Sequence, residues 1–224
     1  MTGLASAAAP RSPLRDGART VAPLGLAALA FGVSFGLLAR SVGMGAVAPI
    51  VMSMTTFAGS AQFAAVSVLG DGGTVAAAIL AAVLLNARYA AMGIAAASAF
   101  RGPAPLRFLQ AQLIVDEAWA LSARGGRYDV GILLGAGLML YPAWVGGTVI
   151  GSLAGDVLGD PERLGLDAAF PALFLALLAP QLTSRQPRLA AVFGAVIAAA
   201  LIPVAPPGVP IIAGAMACLL GLRR

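Results

Sequence analysis

Arg88 occupies the costliest position in this 224-residue chain: sixteen uncharged residues precede it and twelve follow it, most of them aliphatic or alanine. In hydrocarbon a guanidinium so placed costs at least roughly 2.5–3.5 kcal/mol on insertion scales, and it usually faces a partner or a water-filled cavity. Its planar fork can clamp a carboxylate in bidentate fashion, whether a ligand's or one from the chain. Alternatively it pairs with an acid purely structurally, or snorkels to the membrane edge. Asn86 stands beside it in the run Asn86-Ala87-Arg88-Tyr89.

Two other clusters carry polar groups among apolar neighbours. Phe57-Ala58-Gly59-Ser60-Ala61-Gln62-Phe63 lies mid-way along an apolar stretch. Gly59 tolerates unusual dihedrals, and Ser60 and Gln62 offer hydrogen-bonding groups, so an interrupted helix there would expose backbone N–H and C=O groups able to hold an amino acid's carboxylate and ammonium. The competing reading is a tight helix crossing with Ala58, Gly59 and Ala61 at the contact. The second cluster is the pair Asp116-Glu117. Adjacent helical residues point about 100° apart, so one acid is expected to face a cavity and the other a neighbour or the interface. A desolvated carboxyl there would carry a proton during transport, or both acids simply face headgroups from an interfacial helix. Asp167, beside Phe170-Pro171, marks the outer end of a span or adds a further polar group.

The elements that position these residues follow from composition. Hydrophobic residues make up 60% and charged residues 10%, far below the roughly 25% charged content of a soluble domain. The uncharged windows at 20–39, 41–70, 130–155 and 189–222 each reach the roughly 20 residues that span a bilayer core. An all-α, polytopic membrane bundle of about six to eight apolar segments is expected, at 20–41, 46–69, 73–100, 108–122, 130–155, 166–182, 189–203 and 208–222. The second and fourth are expected to be broken or re-entrant. Residues 1–19 read as a flexible cytoplasmic tail ahead of an uncleaved first helix, and 20–224 as one membrane domain.

All fourteen basic residues are Arg. If segments two and four do not cross, Arg11, Arg15, Arg19, Arg101, Arg107, Arg124, Arg127, Arg185, Arg188, Arg223 and Arg224 fall inside, which places both termini in the cytoplasm. A net charge of +5 would suggest nucleic acid for a soluble protein, but here it sets orientation, and no nucleic-acid partner is expected. His is absent and Cys218 is the lone cysteine, so His-ligated metal sites and Ser-His or Cys-His nucleophile pairs are excluded. No catalytic residue, metal or cofactor is expected, and the chain does not read as an enzyme.

An internal repeat is also suggested. Residues 32–42 align with 147–157 at both glycines and at Leu, Ala and Val, five of eleven positions, which would divide the membrane domain into halves 20–124 and 125–224. In so Gly- and Ala-rich a chain, chance similarity competes with this reading.

The Phe57–Phe63 run, the Asn86-Ala87-Arg88 run and the Asp116-Glu117 pair, in that order and spacing, resemble the AzlC family, the large subunits of two-component branched-chain amino acid exporters. The resemblance runs from about Pro23 to Pro180. It implies export of Leu, Ile, Val and analogues such as azaleucine across the inner membrane, driven by the proton motive force, with a small hydrophobic AzlD-type partner. It also implies that Gly59, Ser60, Gln62, Asn86 and Arg88 bind substrate while Asp116 and Glu117 couple protons. Family members often have His after the Asn-x-Arg run, where this chain has Tyr89, so proton movement through that His has no counterpart here. A channel or scaffold subunit, and the permease of an ATP-driven system, are the alternative readings. The chain itself lacks the Lys that a Walker A loop needs.

Overall fold

The computed structural model describes residues 12–124, 127–158, 182–205 and 209–217, together with Leu175, Leu178 and Ala179. Asp167, Cys218, residues 1–11 and most of the segment expected at 166–182 lie outside the described residues. The helices are α1 (Pro13–Ser41), α2 (Val47–Thr56), α3 (Gly59–Gly70), α4 (Val75–Ala96), α5 (Ala104–Ala111), α6 (Asp116–Ser122), α7 (Val130–Leu158), α8 (Arg185–Leu201) and α9 (Val209–Ala215). One antiparallel two-residue ladder, β1 (Ala123–Arg124) with β2 (Arg127–Tyr128), interrupts the helical order before α7.

Among the described residues three helices are long and apolar enough to cross a membrane: α1, α4 and α7 over Val130–Ala154. α1 starts at Pro13, which corrects the expected tail as far as 13–19 are concerned. Ser12 caps the helix by accepting the Arg15 N–H, proline occupies the first turn, and Gly17 lies against the backbone of Ile132. Packing on α7 therefore extends the helix beyond its apolar window.

α1 and α7 form the centre of the bundle and run parallel. Gly17 meets Ile132, Gly25 meets Met139, Gly32 meets Gly147 and Gly36 meets Gly151, so the pairing advances in the same direction along both chains. A side chain on any of Gly32, Gly36, Gly147 or Gly151 would strike backbone of the other helix. The contacts are reciprocal: a Cβ on Gly32 would lie 3.0 Å from Thr148 N, and one on Gly147 would lie 3.0 Å from Val33 N. The two stretches that align in the sequence thus lie against each other through their glycines. Small residues permit this approach, as in many membrane helix pairs.

α2 and α3, each shorter than a membrane span, fold into a hairpin. α2 leaves from the end of α1, and α3 returns there, with Gly70 against Val42. Its tip reaches the middle of α7, where Tyr141 Oη donates to Met54 O at 2.8 Å. α5 and α6 form a second short hairpin from the opposite end. Its tip passes Gly137, while the Ser122 carbonyl at its foot accepts the Asp129 N–H just before α7. The two tips touch, the Gln112 side-chain amide donating to Thr55 O at 2.6 Å. Segments two and four are therefore each broken, and each forms a short helical hairpin against α7.

Candidate functional site

The break between α2 and α3 falls at Phe57, whose φ of 43° makes it the one non-glycine residue in the left-handed region among the described residues. That placement differs from the sequence reading, which gave the conformational freedom to Gly59. Gly59 is the first residue of α3 and is needed for space: a Cβ there would lie 2.8 Å from Trp144 Cη2.

Behind the break lies a buried polar cluster. Ser53, Gln62 and Thr148 are each fully buried. Gln62 Nε2 donates to Ser53 Oγ at 2.8 Å, and Gln62 Oε1 accepts the Ala58 N–H at 3.2 Å. Trp144 Nε1 donates to both Ser53 Oγ and Gln62 Oε1 at 3.1 Å. The Thr148 hydroxyl donates to Trp144 O, so Ser53 must be the donor in their 2.9 Å contact. Phe35, Phe63 and Trp144 pack around this cluster with ring centroids 5.7–6.1 Å apart. The interrupted backbone is thereby tied to α7 and held in one shape.

In front of the break is a cavity of about 530 Å³. Gly59 and Ser60 from α3, Arg88 and Tyr89 from α4, and Asp116 and Glu117 from α6 supply its polar side. Its walls are apolar, with Phe31 and Ala28 of α1 and Leu140 and Trp144 of α7. Arg88 Nη2 donates to Ser60 Oγ at 2.7 Å and pairs with Asp116 Oδ2 at 2.7 Å. One guanidinium therefore links the start of α3 to the start of α6, joining both hairpins. Its Nε is buried and has no acceptor, and its Cζ lies 5.4 Å from the Tyr89 ring centroid.

Five of the seven expected site residues meet here: Gly59, Ser60, Arg88, Asp116 and Glu117. Both acids line the cavity, contrary to the expectation of one, because α6 begins at Asp116 and presents its end to the cavity. Gln62 and Asn86 do not reach it. Each stands two helical positions from a residue that does, Ser60 and Arg88, and two positions turn a helix by about 200°. Gln62 points into the buried cluster instead. Asn86 faces a second, apolar space of about 560 Å³ between α4 and the α2–α3 hairpin. Sequence reasoning missed Phe31, Leu140 and Trp144 as lining residues. Only Trp144 carried a signal, an indole N–H in a long apolar window that had to find a partner.

Residues 23–158, which contain this cavity and both hairpins, match the family model described as AzlC protein. The chain belongs to the AzlC family. A membrane protein of Archaeoglobus fulgidus is 35% identical over 199 residues, 87% of each chain. The branched-chain amino acid transport protein AzlC of Bacillus subtilis is 26% identical over 170 residues, 74% of this chain and 66% of that protein. Inner membrane protein YgaZ of Escherichia coli is 28% identical over 181 residues, covering 76% of this chain and 74% of YgaZ. No solved structure matches the chain. As an AzlC protein with three helices able to cross a bilayer among its described residues, it is a multi-pass protein of the cytoplasmic membrane.

Proposed function

We propose that this AzlC protein is a secondary transporter that exports branched-chain amino acids, driven by the proton motive force and completed by a small AzlD-type membrane subunit. The observation that carries the reading is the cavity, where an arginine holding a carboxylate sits opposite apolar walls. A zwitterion with an aliphatic side chain matches that division. Its carboxylate suits Arg88 and the N–H groups of Gly59 and Ser60, which start α3 and lack intrahelical acceptors. Its ammonium suits the acids of α6, and its side chain suits Phe31, Leu140 and Trp144.

The printed name of the Bacillus subtilis relative supports the substrate class. Direction, energy source and partner follow from the family resemblance. Protons suit the site better than a metal cation: the carbonyls of Met54 and Thr55, which end α2 at the break, are taken by Tyr141 and Gln112. In this reading Gly59, Ser60 and Arg88 bind substrate, Asp116 and Glu117 handle charge, and Gln62 and Asn86 leave the ligand set.

Efflux of labelled leucine from loaded cells tests the proposal. Arg88→Ala, co-expressed with the small subunit, is expected to lower the initial efflux rate at least about tenfold, since a hydrogen bond to a charged group contributes about 1.5–3 kcal/mol. Wild-type efflux in that variant removes Arg88 from the mechanism.

A further inference from the structure

The cavity contains two acids of unequal standing. Asp116 already occupies Arg88, whereas Glu117, on the next residue, forms no ion pair among the described residues. Arg88 is satisfied incompletely. Its Nη2 serves both Ser60 and Asp116 while its buried Nε–H has no acceptor, so the guanidinium holds Asp116 through one nitrogen and leaves the adjoining donor unused. A free carboxylate can take Nε and Nη2 together in the side-on bidentate geometry, which is the stronger arrangement.

We infer that Asp116 is a resident stand-in for the substrate's carboxylate: an incoming amino acid displaces it from Arg88, its ammonium goes to Glu117, and the released Asp116 takes up a proton. The inference rests on the functional reading above and divides the work of the two acids.

Loss of solvation drives the last step: water entering the empty cavity of about 530 Å³ solvates Glu117⁻, whereas a bound substrate displaces that water. The empty site holds Arg88⁺, Asp116⁻ and Glu117⁻; a zwitterion adds no net charge, and its two ends pair with Arg88 and Glu117. Asp116 is then a carboxylate without a counter-ion. The groups around it are Arg88 and Tyr89 on α4, Ser60 on α3 and Glu117 on α6, and among the described residues α1 and α7 line the cavity with apolar side chains only. Such a carboxylate is stable only when protonated, and water at the open side of the cavity supplies the proton. One substrate bound is therefore one proton bound, and the occupant of Arg88 enforces the ratio.

The experiment uses the purified full-length protein in weakly buffered detergent solution. Leucine binding is followed by calorimetry and proton uptake by a pH-sensitive dye. The wild type is expected to take up about one proton per leucine, with affinity rising up to about tenfold per pH unit as pH falls. Asp116→Asn is expected to bind leucine at least as tightly, because its competitor for Arg88 is neutral, and to take up none. Glu117→Gln is expected to lose leucine affinity at least about tenfold, while 4-methyl-2-oxopentanoate, an anion that lacks the ammonium, is expected to bind no more weakly and to gain affinity from the lost repulsion.

Proton uptake persisting in Asp116→Asn, or equal losses for both ligands in Glu117→Gln, would overturn the exchange. Wild-type leucine binding without proton uptake would overturn it even if neither variant folds. A wild type that binds no leucine overturns the underlying functional reading instead.

Discussion

The side-chain amide of Gln112 donates to the carbonyl of Thr55 at 2.6 Å, a direct bond between the tips of two hairpins entering from opposite ends of the bundle. Thr55 O is one of the carbonyls that the end of α2 leaves without an intrahelical donor, so Gln112 acts as a cap supplied from another element.

Replacing Gln112 by Ala is expected to remove that bond at a cost of about 0.5–1.5 kcal/mol. In thermal unfolding of the detergent-purified protein this corresponds to a fall of roughly 2–4 °C for each kcal/mol. An unchanged midpoint would mean that the tips are held by something other than this bond.

Glycines in the chain are not equivalent. Gly36 lies against the backbone of Thr148, Gly151 and Ser152, whereas Gly93 on α4 has open space where a Cβ would be. Gly36→Val is expected to push α1 away from α7 and abolish recovery of monodisperse protein. Gly93→Ala is expected to be neutral or to stabilise by up to about 1 kcal/mol. The comparison is read by size-exclusion profile and unfolding midpoint, and similar behaviour of the two variants would contradict the parallel α1–α7 contact.

Gln62 lies in the buried cluster rather than the cavity, and this distinguishes two outcomes of Gln62→Leu. A structural role leaves the Ala58 N–H without an acceptor, at about 1–3 kcal/mol, puts an apolar side chain into the polar cluster, and takes one bond each from Trp144 Nε1 and Ser53 Oγ, which keep the bond between them. Loss of folded protein is the expected result, and any fraction that does fold should bind leucine with an affinity within about threefold of wild type, a difference below 1 kcal/mol. A folded Gln62→Leu protein with a much weaker leucine affinity would return Gln62 to the ligand set.

Much of this protein was legible from residue types alone. A chain with 10% charged residues and several windows longer than a bilayer core belongs in a membrane whatever its tertiary structure, because desolvation cost is summed residue by residue. The break at Phe57–Phe63 and the importance of Arg88 were local signals of the same kind, polar groups where neighbours are apolar. The exclusion of Gln62 and Asn86 was also implicit in their spacing from Ser60 and Arg88, since residues two apart do not share a helix face.

Partnership was decided only in three dimensions. Asp116, twenty-eight positions beyond Arg88, meets it at 2.7 Å because the second hairpin turns beside α4. Trp144, from a helix with no charged neighbour in view, forms one wall of the cavity and supports its floor. The pairing of Gly32 with Gly147 likewise required the two aligned stretches to pack against each other, which similarity in sequence does not demand. Burial energies and backbone breaks are properties of short segments, whereas a binding site is a convergence of segments, and convergence is fixed by how the whole bundle packs.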